Sequence, residues 1–265
     1  MEVWPGGMWS RSRVAASCLG ACLLAAASFH PMRAAAQDAE MLVPASWNAA
    51  AFRGEGILPG STLPTVSLAS LRIPERAQEH FANACDAYEA RRYDEMDRET
   101  ARALDLAPNY ANVYLLRAER DNAGHHYEDA IAEVLEAQRL EPGVGWAGIL
   151  LAGAYNGLHR WNDALAILDN LRGAEAETWQ AHYERARVAI GLGDRAGGLH
   201  WSELALATAP PDIAEVHLVR ANALDLAERW SAAAAEIETC LALDKSAAHR
   251  PGVLAMLADM RQRAR

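Results

Sequence analysis

Small residues return along this chain at a fixed interval. Ala84, Ala118, Ala152 and Ala186 stand 34 residues apart, and Ala221 follows after 35. Three further columns keep the same phase. Tyr93, Tyr127 and Trp161 are spaced by 34, with Arg195 in the next place and Trp230 in the one after. Met96, Ala130, Ala164, Gly198 and Ala233 form the third, and Ala103, Ala137, Leu171, Ala205 and Cys240 the fourth. Pro108 and Pro142 are also 34 apart, and Pro210 lies two periods further on. A chance match in one column says nothing about the next, so columns in phase over five periods mark a structural repeat. Alanine, the best helix former, is plentiful in nearly every segment, which points to an all-α fold.

A 34-residue period with small residues early, an aromatic midway and proline near the end resembles the tetratricopeptide repeat (TPR) family. "GILLAGAYNGLHRWNDALAIL" carries the likeness best, with Leu151, Ala152, Tyr155, Trp161, Ala164 and Leu168 at the family's marked places. The resemblance covers about residues 77–245. It implies a right-handed superhelical solenoid of about five helix pairs over 77–250, with repeats near 77–110, 111–144, 145–178, 179–213 and 214–247. The columns have a physical reason. Helix axes approach to roughly 8 Å only where the contact residues are small. The midway aromatic fills the wedge opened by the turn. Proline ends the second helix, since it has no N–H to give and disfavours helix in the residue before it. "AGHHY", "GLHRW" and "LGDR" supply the turns. One pair cannot bury its own apolar face, so pairs must stack. Residues 251–265 read as a capping helix with Val253, Met256, Leu257 and Met260 on one stripe. Repeat 3 lacks its proline and has Leu171 at a small-residue place, while repeat 4 has Gly198 and Ser202 where Ala and a large apolar residue are expected. A looser junction is expected between these two repeats.

The ends belong to other regimes. Arg11 and Arg13 precede the apolar run "VAASCLGACLLAAASF", and Ala34-Ala35-Ala36 offers a small-x-small cleavage site. Residues 1–36 therefore read as a signal peptide, too short in its apolar run for a membrane span. "LGAC" loosely resembles a lipoprotein box, and an uncleaved anchor is the remaining alternative. Export to the periplasm or the extracellular space follows, with lipid or signal anchoring as the alternative. Pro44, Gly54, Gly56, Pro59, Gly60, Pro64 and Pro74 interrupt any helix in residues 37–76, which read as a mostly disordered leader. Removing residues 1–36 takes away three arginines and one glutamate, so the formal charge of −10 becomes −12. That charge repels polyanions and disfavours nucleic acid as a partner. No later segment is long and apolar enough to span a bilayer.

Cys85 falls on the first helix of repeat 1 and Cys240 on the second helix of repeat 5. Layers of roughly 8–10 Å separate them, and a disulfide needs Cα atoms within about 7 Å. An intramolecular bridge is excluded. Cys240 is expected in the core, and Cys85 on the groove.

No motif asks for chemistry. "GLGDRAGG" has helices on both flanks, where a phosphate loop needs a strand before it. His125-His126 has no acidic or Cys partner at ligand spacing. No enzyme activity, cofactor or metal is expected. Arg117, Arg185 and Arg220 recur in one column and are expected to pair with acidic neighbours on adjacent helices.

The resemblance further implies a concave groove lined by the first helices, facing a protein or peptide segment. Carried over place by place, its contacts are Phe81, Tyr88, Leu115, Glu119, Asn122, Trp146, Ile149, Asn156, Tyr183, Arg187, Leu218 and Asn222. Apolar anchors give contact energy, and side-chain amides pair with an extended backbone. Family members that clamp a C-terminal carboxylate use several Lys and Arg at such places. Arg187 is the only base here, so that ligand is not expected. A cell-envelope glycan stacking on Trp146, Tyr183 and Tyr88 is the alternative.

Overall fold

The computed structural model describes residues 72–265, so the expected signal segment and nearly all of the leader lie outside the described residues. Those described are all-helical, with eleven α-helices and no strand. Ten helices form five consecutive pairs. The pairs are α1 (Glu75–Glu89) with α2 (Tyr93–Leu106), α3 (Ala111–Ala123) with α4 (Tyr127–Leu140), and α5 (Ala147–Gly157) with α6 (Trp161–Asn170). Then follow α7 (Trp179–Gly191) with α8 (Arg195–Thr208), and α9 (Ala214–Leu226) with α10 (Trp230–Leu243). The last helix is α11 (Pro251–Arg263). Within each pair the two helices pack closely. Each second helix touches the first helix of the next pair, and the first helices α1, α3, α5, α7 and α9 touch in sequence.

The turn inside each pair is three residues long, and its middle residue has a positive φ in all five. These are Arg91 (57°), His125 (62°), His159 (56°), Gly193 (75°) and Glu228 (62°). The left-handed region crowds the Cβ of an L-residue, so only Gly193 sits there without cost. Arg91→Gly should therefore stabilise the fold by about 0.5 kcal/mol, read as a higher denaturant midpoint.

The small-residue columns occupy the interfaces. Ala84, Ala118, Ala152, Ala186 and Ala221 are 0 % exposed, as are Ala103, Ala137 and Ala205. Pro108, Pro142 and Pro210 each stand two residues beyond the end of α2, α4 and α8. Helix α6, which has no such proline, is 10 residues long, whereas α10, which lacks one too, has 14 like the other second helices. A 3₁₀ turn, Gly173–Glu177, completes the connection.

The junction that follows α6 is thinner than the ones on either side of it, as expected, but specific contacts tie it. Leu171 is buried against the gap at Gly148, where an added Cβ would stand 2.6 Å from Leu171 Cδ2. Arg185 ties the same junction, donating to the carbonyls of Leu168 (2.9 Å) and Ala176 (2.8 Å) and lying over the Trp201 ring. Its column mates do find carboxylates: Arg117 meets Glu133 at 2.6 Å and Arg220 meets Glu236 at 3.0 Å. Arg185 departs from that expectation because Trp201 takes the place of the acid.

Aromatics seat where the next pair offers a glycine. Tyr127 packs over Gly157, and Trp161 over Gly191, where an added Cβ would meet the ring at 2.5 Å. The equivalent place opposite Tyr93 is Ala123, and Tyr93 stays 40 % exposed. The junction between the first and second pairs is also the thinnest in the stack. At the other end Val253, Met256, Leu257 and Met260 of α11 are buried with α9 and α10 residues. No helix among the described residues is long and apolar enough to cross a membrane.

Candidate functional site

Eleven of the twelve residues expected to line the groove are buried, and Trp146 is partly exposed. Phe81, Leu115, Ile149 and Tyr183 share one apolar cluster, while Leu218 belongs to the cluster under α11. The Phe81 ring meets that of Tyr110, the residue that opens the second pair, at 4.9 Å and a tilt of 53°. Trp146 caps α5 with a φ of 71°, so the ring is held on a left-handed backbone at a pair-to-pair junction.

The polar members form a buried seam across successive first helices. The Tyr88 hydroxyl of α1 donates to Glu119 Oε1 of α3 at 3.0 Å. Asn122 Nδ2 of α3 donates to the Leu150 carbonyl of α5 at 3.0 Å. One period later, Asn156 Nδ2 of α5 donates to the Glu184 carbonyl of α7 at 3.1 Å and to Glu184 Oε2 at 2.7 Å. Leu150 and Glu184 are themselves 34 apart, so the same amide bond is made twice in register. Arg187 closes the chain, bonding both Glu184 oxygens at 3.0 and 3.2 Å. Its guanidinium and the Glu184 carboxylate are only 4 % and 3 % exposed.

Glu184 was not legible as a site residue from the repeat alone. Its column otherwise holds Ala82, Leu116, Leu150 and Val219, and a carboxylate in an apolar column is the signal that could have found it. The column next to it explains the fit. Gly153 leaves room: a Cβ there would lie 3.3 Å from Glu184 Oε1.

Burial sets the electrostatics of the seam. Desolvation pushes the Glu119 carboxyl up to about 8, and the Glu184 charge pushes the same way, while the Tyr88 bond opposes both. Burial also holds the Tyr88 hydroxyl well above its ordinary value. Asn122 Oδ1, Asn156 Oδ1 and Glu119 Oε2 meet no hydrogen-bond donor among the described residues. Asn222, in the column of Glu119 and Arg187, is 7 % exposed, and its Nδ2 meets no acceptor among the described residues.

The cysteines do not bridge one another, and both are buried. For Cys240 this is the expected core place, and burial pushes its thiol up to about 12. Cys85 was expected on the groove; it is instead 0 % exposed within the main apolar cluster. Its column mates explain this, because Glu119 and Arg187 at the same place are buried too.

A polar concavity, about 450 Å³, lies over α3 and α4 beside Arg117, Arg120, Asp121, Asp129 and Glu133. Its arginines are occupied by carboxylates: Arg117 by Glu133 (2.6 Å) and Arg120 by Asp97 and Asp121 (3.2 and 3.3 Å). No group of three metal-ligating side chains gathers among the described residues. A comparison of the chain with protein-family models finds no match, and a comparison with curated proteins finds none either.

Proposed function

We propose that the chain is an exported, non-enzymatic scaffold of the TPR type. In this reading the five helix pairs wind into a right-handed superhelix closed by α11. The surface of the first helices holds an extended or helical segment of another protein. One observation carries the reading: the first helices pack on one another in sequence order, with their contact residues in phase. Repeating units in that arrangement give a preformed surface that needs little ordering when a partner binds. The acidic balance of the chain favours a neutral or basic segment. Tyr88 and Tyr183 are 3 % and 2 % exposed, so of the three proposed sugar-stacking rings Trp146 alone has open surface.

Photo-crosslinking tests the reading. A crosslinking residue at Gln78, Trp146 or Ile190, on the first helices or at the start of one, should yield discrete protein adducts. The same residue at Arg102, Leu135 or Glu238, exposed on the second helices, should not. Adducts from the second-helix positions alone would contradict the proposed binding surface.

A further inference from the structure

Glu119 is a buried acid of the seam that no base among the described residues balances, and it sits at the thinnest joint. Glu119 is 0 % exposed. Its Oε1 accepts the Tyr88 hydroxyl from α1 at 3.0 Å, and its Oε2 meets no donor among the described residues. The other ionisable group facing it is Glu184 on α7, whose carboxylate is already taken up by Arg187 at 3.0 Å. Helix α5, packed between them, carries no charged residue.

The joint that Glu119 closes is the thinnest in the stack. Tyr93 fails to seat there, because Ala123 stands where later pairs have Gly157 and Gly191. The apolar cluster runs on across the joint, from Phe81, Cys85 and Tyr88 to Leu115 and Ala118. The specific polar and ring contacts there are the Tyr88–Glu119 bond, the Phe81–Tyr110 ring contact and an exposed Arg120–Asp97 pair at 3.2 Å. Exposed pairs of that kind contribute little.

We propose that the Tyr88–Glu119 contact is a proton-controlled latch: with Glu119 neutral the α1–α2 pair is held against α3, and loss of that proton releases the pair while the other four stay packed. The inference does not depend on what the protein binds. Its sign follows from linkage. In the closed joint the carboxyl keeps its proton up to about 8; in an opened joint, in water, it returns to the ordinary 4.5. Opening therefore releases a proton at any pH between those values. The opened fraction grows about tenfold per pH unit across that window and levels off above it. Acidification closes the latch.

Cys85 reports on it without added labels. It lies on α1, three residues before Tyr88, and is 0 % exposed; Cys240 in the last pair is equally buried and serves as the internal reference. The full chain is treated with a thiol reagent from pH 5.5 to 9, and each cysteine is followed by peptide mass spectrometry. Each rate is divided by its rate in the denatured chain at the same pH, which removes the titration of the thiol itself.

The expected result is a Cys85 ratio that rises at least tenfold between pH 6 and 8, with an unchanged Cys240 ratio. In Glu119→Gln, where the amide cannot ionise, the Cys85 ratio should stay flat. In Tyr88→Phe it should be higher throughout and keep rising past pH 8, because the tyrosine bond no longer holds the carboxyl down. Were Glu119→Gln to misfold, the displaced plateau of Tyr88→Phe would carry the test. A slope that persists in Glu119→Gln overturns the latch, as does a Tyr88→Phe plateau in its original place. So does a Cys240 ratio that climbs with Cys85, since that is global unfolding.

Discussion

Arg187→Leu should destabilise the fold by about 3–5 kcal/mol, the cost of leaving a buried charge without its partner. Glu184 is the group left behind, on a helix whose side chains are buried almost all round. Asn156 still bonds it at 2.7 Å, but one amide donor cannot replace a guanidinium that engages both oxygens. The double variant Arg187→Leu with Glu184→Leu should recover most of the loss. A buried pair exchanged for apolar side chains of similar volume is often neutral. Asn156 keeps the Glu184 main-chain carbonyl as an acceptor in that variant. Urea denaturation of the three chains measures this directly, and equal midpoints for the single and double variants would show that the charge is compensated in another way.

Gly157→Ala and Gly191→Ala should each cost about 1–3 kcal/mol, the usual penalty for forcing an extra methyl into a filled interface. The sign is informative, because alanine in a helix normally gains about 1 kcal/mol over glycine. Here the methyl would collide with the Tyr127 ring in one case and the Trp161 ring in the other. Neither ring can yield by a simple turn of a flexible chain end. The first pair shows where a displaced ring goes: with Ala123 in the glycine's place, Tyr93 is 40 % exposed. Thermal melts of the two variants should therefore fall below that of the parent protein, accompanied by a red shift of Trp161 emission in Gly191→Ala.

The spacing of small residues was enough to point to an all-helical chain, because each column answers a single local demand. An alanine or proline at a fixed interval is required by the approach of two backbones or by the end of a helix, and little else satisfies it. Ala118, Ala152 and Ala186 are fully buried for that reason. Val253, Met256, Leu257 and Met260, read from the sequence as one stripe, are buried together with residues of α9 and α10. Leu171 and Gly148 show the limit. Each departs from its column, and only together do they make sense, as a large residue filling a gap opened on another helix. Arg185 is similar: its column suggested a carboxylate partner, and the residue supplied opposite it is Trp201.

The candidate site was legible as a set of positions more than as chemistry. Asn122 and Asn156 were picked out as amides for a ligand's backbone, and each donates to a carbonyl of the next pair. The repeat identifies which residues point along the first-helix seam. It does not say whether a polar atom there meets a ligand or a neighbouring helix, since both offer peptide groups at the same distance. Glu184 was missed because the column that holds it is apolar in every other period.

A crystal structure of the intact chain at a resolution that separates side-chain amides tests the central claim most directly. Five helix pairs should appear with Asn122 and Asn156 reaching the Leu150 and Glu184 carbonyls one pair further on, and with Ala118, Ala152 and Ala186 sealed between the axes. A strand anywhere from 75 to 263, or those asparagines pointing away from the neighbouring first helix, would contradict the account.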